Sequence, residues 1–321
     1  MRYSVIIPVY NRPDELEELL QSLTLQTFGD FEVIVVEDGS SKPANKEVNQ
    51  FSNQLDIKYF EKENAGQGFA RNYGFERAAG DWLLVFDSDA IIPKTYFEEV
   101  ERFLRKNPKV KAFGGPDASH PSFTPMQKAI SYSMTSLFTT GGIRGKEKSI
   151  GEFHPRSFNM GVAKAVYEKI GGYKITRMGE DIEFSIRIIE SGFKTALIPN
   201  AFIYHKRRTS LSQFYKQLHF FGRARINISR FYPNEIKLVH LFPAVFVAAW
   251  VILILSWFFL QPLALVGTIL VIIYYLAIFI DSAIQNKSVT IGMLSIATSF
   301  VQLFAYGIGF YTEWLTKTFK N

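Results

Sequence analysis

Asp87-Ser88-Asp89 directly follows the apolar run Trp82–Phe86. Two carboxylates two apart on a turning segment can share one hard divalent cation with phosphate oxygens. A turn alone can use such a pair for capping, but a strand end is where open α/β sheets bind ligands. A second acidic pair, Glu180-Asp181, follows Gly179 and opens the helical run Ile182–Ile189. Macrodipole stabilisation explains that pair as well as catalysis does, and a carboxylate beside an acceptor hydroxyl can act as a general base. Pro8-Val9-Tyr10-Asn11 and Glu37-Asp38-Gly39-Ser40 end two further apolar runs. They offer an aromatic ring, carboxylates and close backbone approach, which suit a nucleobase and ribose, although a plain turn is an equal reading of the second segment. Asn64–Asn72 places glycines at a helix entrance together with Arg71, a cation suited to phosphate or a base edge. It lacks GxGxxG, which argues against a nicotinamide or flavin enzyme.

These groups need a scaffold that aims strand ends at one edge. The first two hundred residues alternate short β-rich runs with helical patterns, the signature of βαβ units around a mostly parallel sheet. The runs predict strands at Ser4–Val9, Phe31–Val36, Ile57–Phe60, Trp82–Phe86, Val110–Phe113 and Thr195–Tyr204. Helical spacing covers Pro13–Leu23, Gln67–Ala79, Lys94–Arg105, Ala163–Ile170 and Asp181–Ser191. The weakly periodic stretch Pro116–Phe153 is expected to be a long functional excursion that sets donor and acceptor selectivity.

The 321 residues are 47% hydrophobic and contain no cysteine, which excludes disorder, disulfides, thiolate catalysis and Cys-ligated metal. Leu241–Ile280 is uncharged throughout and long enough for two spans broken at Gln261-Pro262; Ser288–Thr312 is a third uncharged stretch. Residues 206–240 carry eight Lys or Arg against one acidic residue. A basic belt before a span reads as the positive-inside signal and contact with anionic lipid, in preference to nucleic-acid binding. Within it, Thr209–Tyr232 has the pattern of an interfacial helix with aromatics toward lipid, or of a surface helix. Lys206, Arg207 and Arg208 can neutralise a leaving phosphate or a lipid-linked phosphate, or simply belong to that belt. Met1-Arg2-Tyr3 leads straight into the first strand, so residues 1–205 are expected on the cytoplasmic side of a multi-pass cytoplasmic-membrane protein.

Residues 4–40 (SVIIPVYNRPDELEELLQSLTLQTFGDFEVIVVEDGS), 64–90 (NAGQGFARNYGFERAAGDWLLVFDSDA) and 158–193 (FNMGVAKAVYEKIGGYKITRMGEDIEFSIRIIESGF) resemble, in order, the blocks of the family 2 inverting glycosyltransferases. The resemblance covers residues 3–205 and implies the GT-A fold, a Rossmann-like α/β sheet. It implies Pro8, Tyr10, Asn11 and either Glu37 or Asp38 at the base and ribose, Arg71 at the nucleotide, and Asp87 and Asp89 on the sugar nucleotide and Mg²⁺ or Mn²⁺. Asp181 would be the base beside Glu180, and His205 matches a position that in some relatives reaches metal or diphosphate. The donor implied is a nucleotide sugar, UDP before GDP or dTDP, and the acceptor a hydroxyl of a lipid-linked saccharide used in cell-surface polysaccharide or glycolipid synthesis. Polymer-extruding members carry Gln-x-x-Arg-Trp, whereas Gln217 is followed by Leu218-His219-Phe220-Phe221, so extrusion is not expected.

The organisation expected is a catalytic domain at 1–205, a basic interfacial segment at 206–238 and a transmembrane region at 239–315. Its helices fall near 241–260, 262–280 and 289–311. Three spans are expected, with a re-entrant or interfacial third segment as the alternative. Two rivals remain: an inactive scaffold or transport component, which predicts polar or charged residues inside the spans, and a metal-dependent nucleotidyltransferase, which would release pyrophosphate.

Overall fold

The computed structural model describes residues 2–141, 150–151 and 153–319. The parts of the Pro116–Phe153 excursion at 142–149 and 152 lie outside the described residues. The chain forms two compact units, Met1–His120 with Gly145–Lys206, and Pro121–Arg144 with Arg207–Asn321.

The first unit begins with β1 (Tyr3–Val9), α1 (Pro13–Thr24), β2 (Phe31–Asp38), α2 (Asn45–Gln50), β3 (Ile57–Lys62), α3 (Gln67–Phe75) and β4 (Trp82–Phe86). It continues through β5 (Ala90–Ile91), α4 (Tyr96–Lys106), β6 (Val110–Gly114) and β7 (Asp117–Ala118). In the second unit, α5 (Pro125–Thr135) and α6 (Leu137–Thr140) come next. The first unit then resumes with β8 (Ile150–Gly151), β9 (Asn159–Ala163), α7 (Lys164–Ile170), α8 (Glu180–Glu190), β10 (Lys194–Leu197) and β11 (Ile203–His205). The second unit ends with α9 (Leu211–Ile228), α10 (Leu238–Phe259), α11 (Gln261–Asn286) and α12 (Val289–Phe319).

Among the described residues the main sheet runs β3-β2-β1-β4-β9-β6-β10-β8. Its β1, β2, β3 and β4 pair in parallel, and so do β6 and β10, whereas β9 runs antiparallel to both β4 and β6. Strands β1, β2 and β4 are almost entirely buried, as expected of parallel strands covered on both faces. Gly74 lets α3 lie directly on β1, because a Cβ there would stand 2.5 Å from Ile6. Strand order and directions match the Rossmann-like α/β sheet that the resemblance implies.

The expected strand Thr195–Tyr204 is two strands. β10 stays in the main sheet, the chain turns at Pro199-Asn200, and β11 joins a small sheet between β5 and β7. Proline removes a ladder donor and asparagine favours turns, which suits a break at this dipeptide. The pairing of His205 with Ala90 in register sets β11 against the segment that follows Asp89.

In the second unit, α5 starts at a capping box in which Thr124 and Gln127 satisfy each other. This helix packs its Ile130 and Met134 with Phe214 and Leu218 of α9 and Ala305 of α12. Apolar residues of α9 expected to face lipid therefore cover α12. Close approach is possible because Gly222 meets the Tyr306 carbonyl and Gly309 the His219 carbonyl, at distances no Cβ would tolerate. Three helices, Leu238–Phe259, Gln261–Asn286 and Val289–Thr318, are long and apolar enough to cross a membrane.

Candidate active site

Tyr10, Asn11, Glu37, Asp38, Asp87 and Asp89 lie at or just after the carboxyl ends of β1, β2 and β4, Arg71 lies in α3, Glu180 and Asp181 open α8, and His205 ends β11. Asp87, Asp89 and His205 are brought together, with one ligand atom of each within 4.8 Å of the others. His205 Nε2 lies 3.0 Å from Asp89 Oδ1, and Phe158 stacks on the imidazole at 5.3 Å between ring centres. The Asp89 carbonyl accepts the Lys206 N–H at 2.9 Å, fastening β11 to the turn. Two carboxylates and an imidazole are a donor set that fits Mg²⁺ or Mn²⁺. Each carboxylate is also anchored by an arginine: Arg12 to Asp89 Oδ2 and Arg71 to Asp87 Oδ1, both at 2.8 Å. Arg12 reaches Glu15 as well, at 2.9 Å.

Arg71 is 1% exposed, the largest fully buried side chain among the described residues. Besides Asp87 it pairs with Glu180 Oε1 at 3.1 Å and lies over the Tyr173 ring. Arg71 thereby bridges the Asp87 turn and the start of α8. Burial and the adjacent Asp181 raise the Glu180 pKa, against the pull of Arg71. Gln67 donates a further hydrogen bond to Glu180. Removing the bridge leaves a buried carboxylate uncompensated, and breaking a buried pair costs about 3–5 kcal/mol. Arg71→Met should therefore lower the Tm of the detergent-solubilised chain by several degrees, read by thermal unfolding. An unchanged Tm would show that the bridge carries no stability.

Asp181 takes a different place. Its Oδ2 accepts from Arg156 Nε at 2.8 Å and its Oδ1 from the Ile182 N–H at 2.9 Å. Burial pushes its pKa up, but Arg156 and then Arg71 outweigh burial and hold it below the ordinary carboxylate range. Gly179, with φ +101°, turns the chain into α8 in a left-handed conformation that favours glycine.

At the β2 end the two acidic residues separate in role. Glu37 is enclosed by its own loop, accepting from Ser40, from the Ala44 N–H at 2.8 Å and from the Tyr59 hydroxyl at 3.1 Å. Asp38 accepts from Lys62 at 2.7 Å and from the N–H groups of Ala65 and Gly66 at 3.0 and 2.8 Å, joining β2 to the entrance of α3. Asn11, at φ +55°, binds Ser41 and the Lys42 N–H through its side-chain oxygen. Tyr10 is 52% exposed, a free ring surface beside Pro8. Lys206 pairs with Glu18 at 2.5 Å, and Arg207 is buried.

Sequence reasoning missed Arg12, Arg156, Gln67 and Tyr173. Arg12 adjoins Asn11 within the first block and was legible by position. Arg156 follows the weakly periodic stretch, where no local pattern marks it.

The family model for "Glycosyl transferase family 2" matches residues 4–171. The chain belongs to that family. It is 31% identical over 144 residues to an uncharacterized glycosyltransferase of Rickettsia felis, a match that covers 44% of this chain and only 23% of the relative. A Methanococcus voltae protein, dolichyl N-acetyl-α-D-glucosaminyl phosphate 3-β-D-2,3-diacetamido-2,3-dideoxy-β-D-glucuronosyltransferase, is 26% identical over 87% of this chain and 86% of its own length. Among solved structures, the mannosyltransferase PcManGT of Pyrobaculum calidifontis, in complex with GDP-Man and Mn²⁺, superposes with a TM-score of 0.66 at 18% identity. That match covers 94% of this chain and 87% of the other, and at such identity it shows the fold alone.

Proposed function

We propose that this family 2 glycosyltransferase moves a sugar, with inversion, from a nucleotide sugar to a hydroxyl of a lipid-linked saccharide at the cytoplasmic face of a membrane. The observation that carries the proposal is the separation of two acidic sites on one edge. Asp87, Asp89 and His205 form a cluster suited to a cation, while Asp181 is kept ionised by Arg156. An ionised carboxylate outside the metal cluster is what deprotonation of an acceptor needs. In the reaction the acceptor oxygen bonds to the anomeric carbon, the bond from that carbon to the diphosphate breaks, and the hydroxyl proton passes to Asp181. Asp87, Asp89 and His205 would hold Mg²⁺ or Mn²⁺, which supplies neutralisation of charge on the departing diphosphate. Tyr10 would stack on the base, with Asp38 nearest the ribose and Glu37 holding their loop. The acceptor class rests on the apolar helices, the basic belt and the lipid-phosphate acceptor in the name of the M. voltae relative.

The deciding experiment incubates the purified chain with Mn²⁺, lipid-linked saccharide and UDP-, GDP- or dTDP-sugars, with UDP-sugars expected to serve. Release of nucleoside diphosphate supports sugar transfer. Pyrophosphate would make it a nucleotidyltransferase, and no release from any donor would favour the inactive scaffold.

Arg156 gives the proposal a pH signature. A base with a lowered pKa works above that value and fails as pH falls through it. An opposite charge nearby lowers a carboxylate by about 1–3 units. Arg156→Gln should therefore shift the acid limb of kcat/KM to higher pH by about that amount, checked by a pH–rate profile. An unmoved limb would remove Asp181 from the proton-transfer step.

A further inference from the structure

We infer that α12, despite its length and composition, does not cross the membrane beside α10 and α11 but lies across the open end of their hairpin, in the interfacial layer. The inference rests on reading α10 and α11 as spans. These two helices turn at Leu260 and run antiparallel, with Gly267 packed on Leu253 near the closed end. Their open end carries the start of α10 and the finish of α11.

Both halves of α12 make contacts with that open end. Near its start, Gly292 abuts Phe279 and Ala283, and Ser295 hydrogen-bonds Ser282 at 2.7 Å, all on the last turns of α11. Further on, Phe300 packs on Phe246 and Trp250, Gly307 lies against the Pro243 carbonyl and Val247, and the Tyr311 hydroxyl donates to the Ala244 carbonyl at 2.9 Å. As α12 advances, its partners on α10 move back toward the residue where α10 begins. From Gly292 to Tyr311 is about 28 Å of helix, enough to traverse most of a hydrocarbon core. The matching contacts on α10, at 243–250, occupy only about 10 Å, and Tyr311 has returned to the first turns of α10.

Glu313 decides the same point by charge. It is buried and pairs with Arg223 at 3.0 Å and Arg230 at 2.8 Å, residues of α9 and of the segment that leads into α10. A third span would carry Glu313 to the far face, about 36 Å along the helix from Val289. Two arginines of the basic belt would then have to cross with it. Burial agrees: half of an apolar 18-residue stretch of α12 is buried in the protein, against 11% for each of the other two helices. The buried Ser295, Thr298, Ser299 and Gln302 suit contact with protein, and Thr298 donates to the Ala129 carbonyl of α5 at 3.1 Å. Exposed Met293, Trp314 and Leu315 are left to meet lipid at headgroup depth, where tryptophan is favoured. The arrangement also returns Lys317 to the side of the basic belt, in keeping with the positive-inside rule.

The chain has no native cysteine, so single cysteines report topology cleanly. Gln261→Cys marks the hairpin turn and Thr318→Cys the end of α12. Sealed right-side-out and inverted vesicles are treated with a membrane-impermeant maleimide, before and after detergent. The inference expects the two sites to label from opposite faces. Labelling from the same face restores three spans and overturns it. If Thr318→Cys resists labelling in detergent, a C-terminal fusion to reporters active on one face only locates the end of α12 independently. Extraction of the whole protein by alkaline carbonate would instead defeat the membrane reading beneath the inference, an outcome distinct from either labelling pattern.

Discussion

Asp181→Asn is expected to cut turnover by about 10²–10⁴-fold while leaving donor affinity nearly unchanged. The substitution keeps the shape and the Oδ1 contact with the Ile182 N–H, but an amide accepts no proton at the position where Oδ2 meets Arg156. Arg156 is 36% exposed in its side chain, so loss of its ionic partner leaves it largely to solvent, with little cost to the fold. Glu180→Gln makes the useful contrast. Its carboxylate is 4% exposed and tied to Arg71, so its loss should disturb the Asp87 turn and weaken donor binding. Steady-state kinetics with donor saturating and then limiting, alongside calorimetric titration of the donor, separates the two. If Asp181→Asn weakens donor binding but spares turnover at saturation, the base lies elsewhere.

The strand ends that frame this site were legible because buried parallel strands read as unbroken apolar runs, as in Val5–Ile7, Val33–Val36 and Leu83–Phe86. Polar residues directly after such a run are placed by topology alone. The central antiparallel strand β9 was not legible: Asn159-Met160-Gly161-Val162-Ala163 has poor β-propensity, and its place follows from tertiary fit. A Cβ on Gly161 would stand 2.2 Å from the Phe113 ring, so the strand exists where only glycine admits the neighbour. Side-chain partnership was equally hidden. Sequence showed neither the carboxylate partners of Arg71 nor a difference between Glu37 and Asp38, because it cannot tell which carboxylates a cation will meet or which will be enclosed by their own loop. The same limit applies to α12. Twenty-five uncharged residues, Ser288–Thr312, read as a span, and the sequence does not show that Gly307, Gly309 and Glu313 meet partners far away in the chain.

Asp89→Ala is expected to be the most damaging single change, lowering turnover by about 10³-fold or more, the equivalent of several kcal/mol of electrostatic stabilisation. Asp89 is buried at the centre of its cluster, with His205 on one carboxylate oxygen and Arg12 on the other. Truncation removes the ligand that ties β11 to the β4 turn, but the backbone bond from Lys206 N–H to the Asp89 carbonyl persists. The fold should therefore survive, and Arg12 keeps its pairing with Glu15. Two readouts besides turnover keep the test independent of the assay: Mn²⁺ binding followed by paramagnetic resonance, and the Tm of the full chain in detergent. The expected result is loss of high-affinity Mn²⁺ binding with a Tm close to that of the parent. His205→Gln should weaken Mn²⁺ binding less, because an amide oxygen can still coordinate. Arg12→Ala provides the opposing control, since it withdraws a cation from Asp89 Oδ2, and Mn²⁺ should bind at least as tightly. Undiminished Mn²⁺ binding in Asp89→Ala, or full activity of that variant in EDTA, would move the metal away from this cluster and leave Asp87 and Asp89 with structural roles beside Arg71, Arg12 and His205.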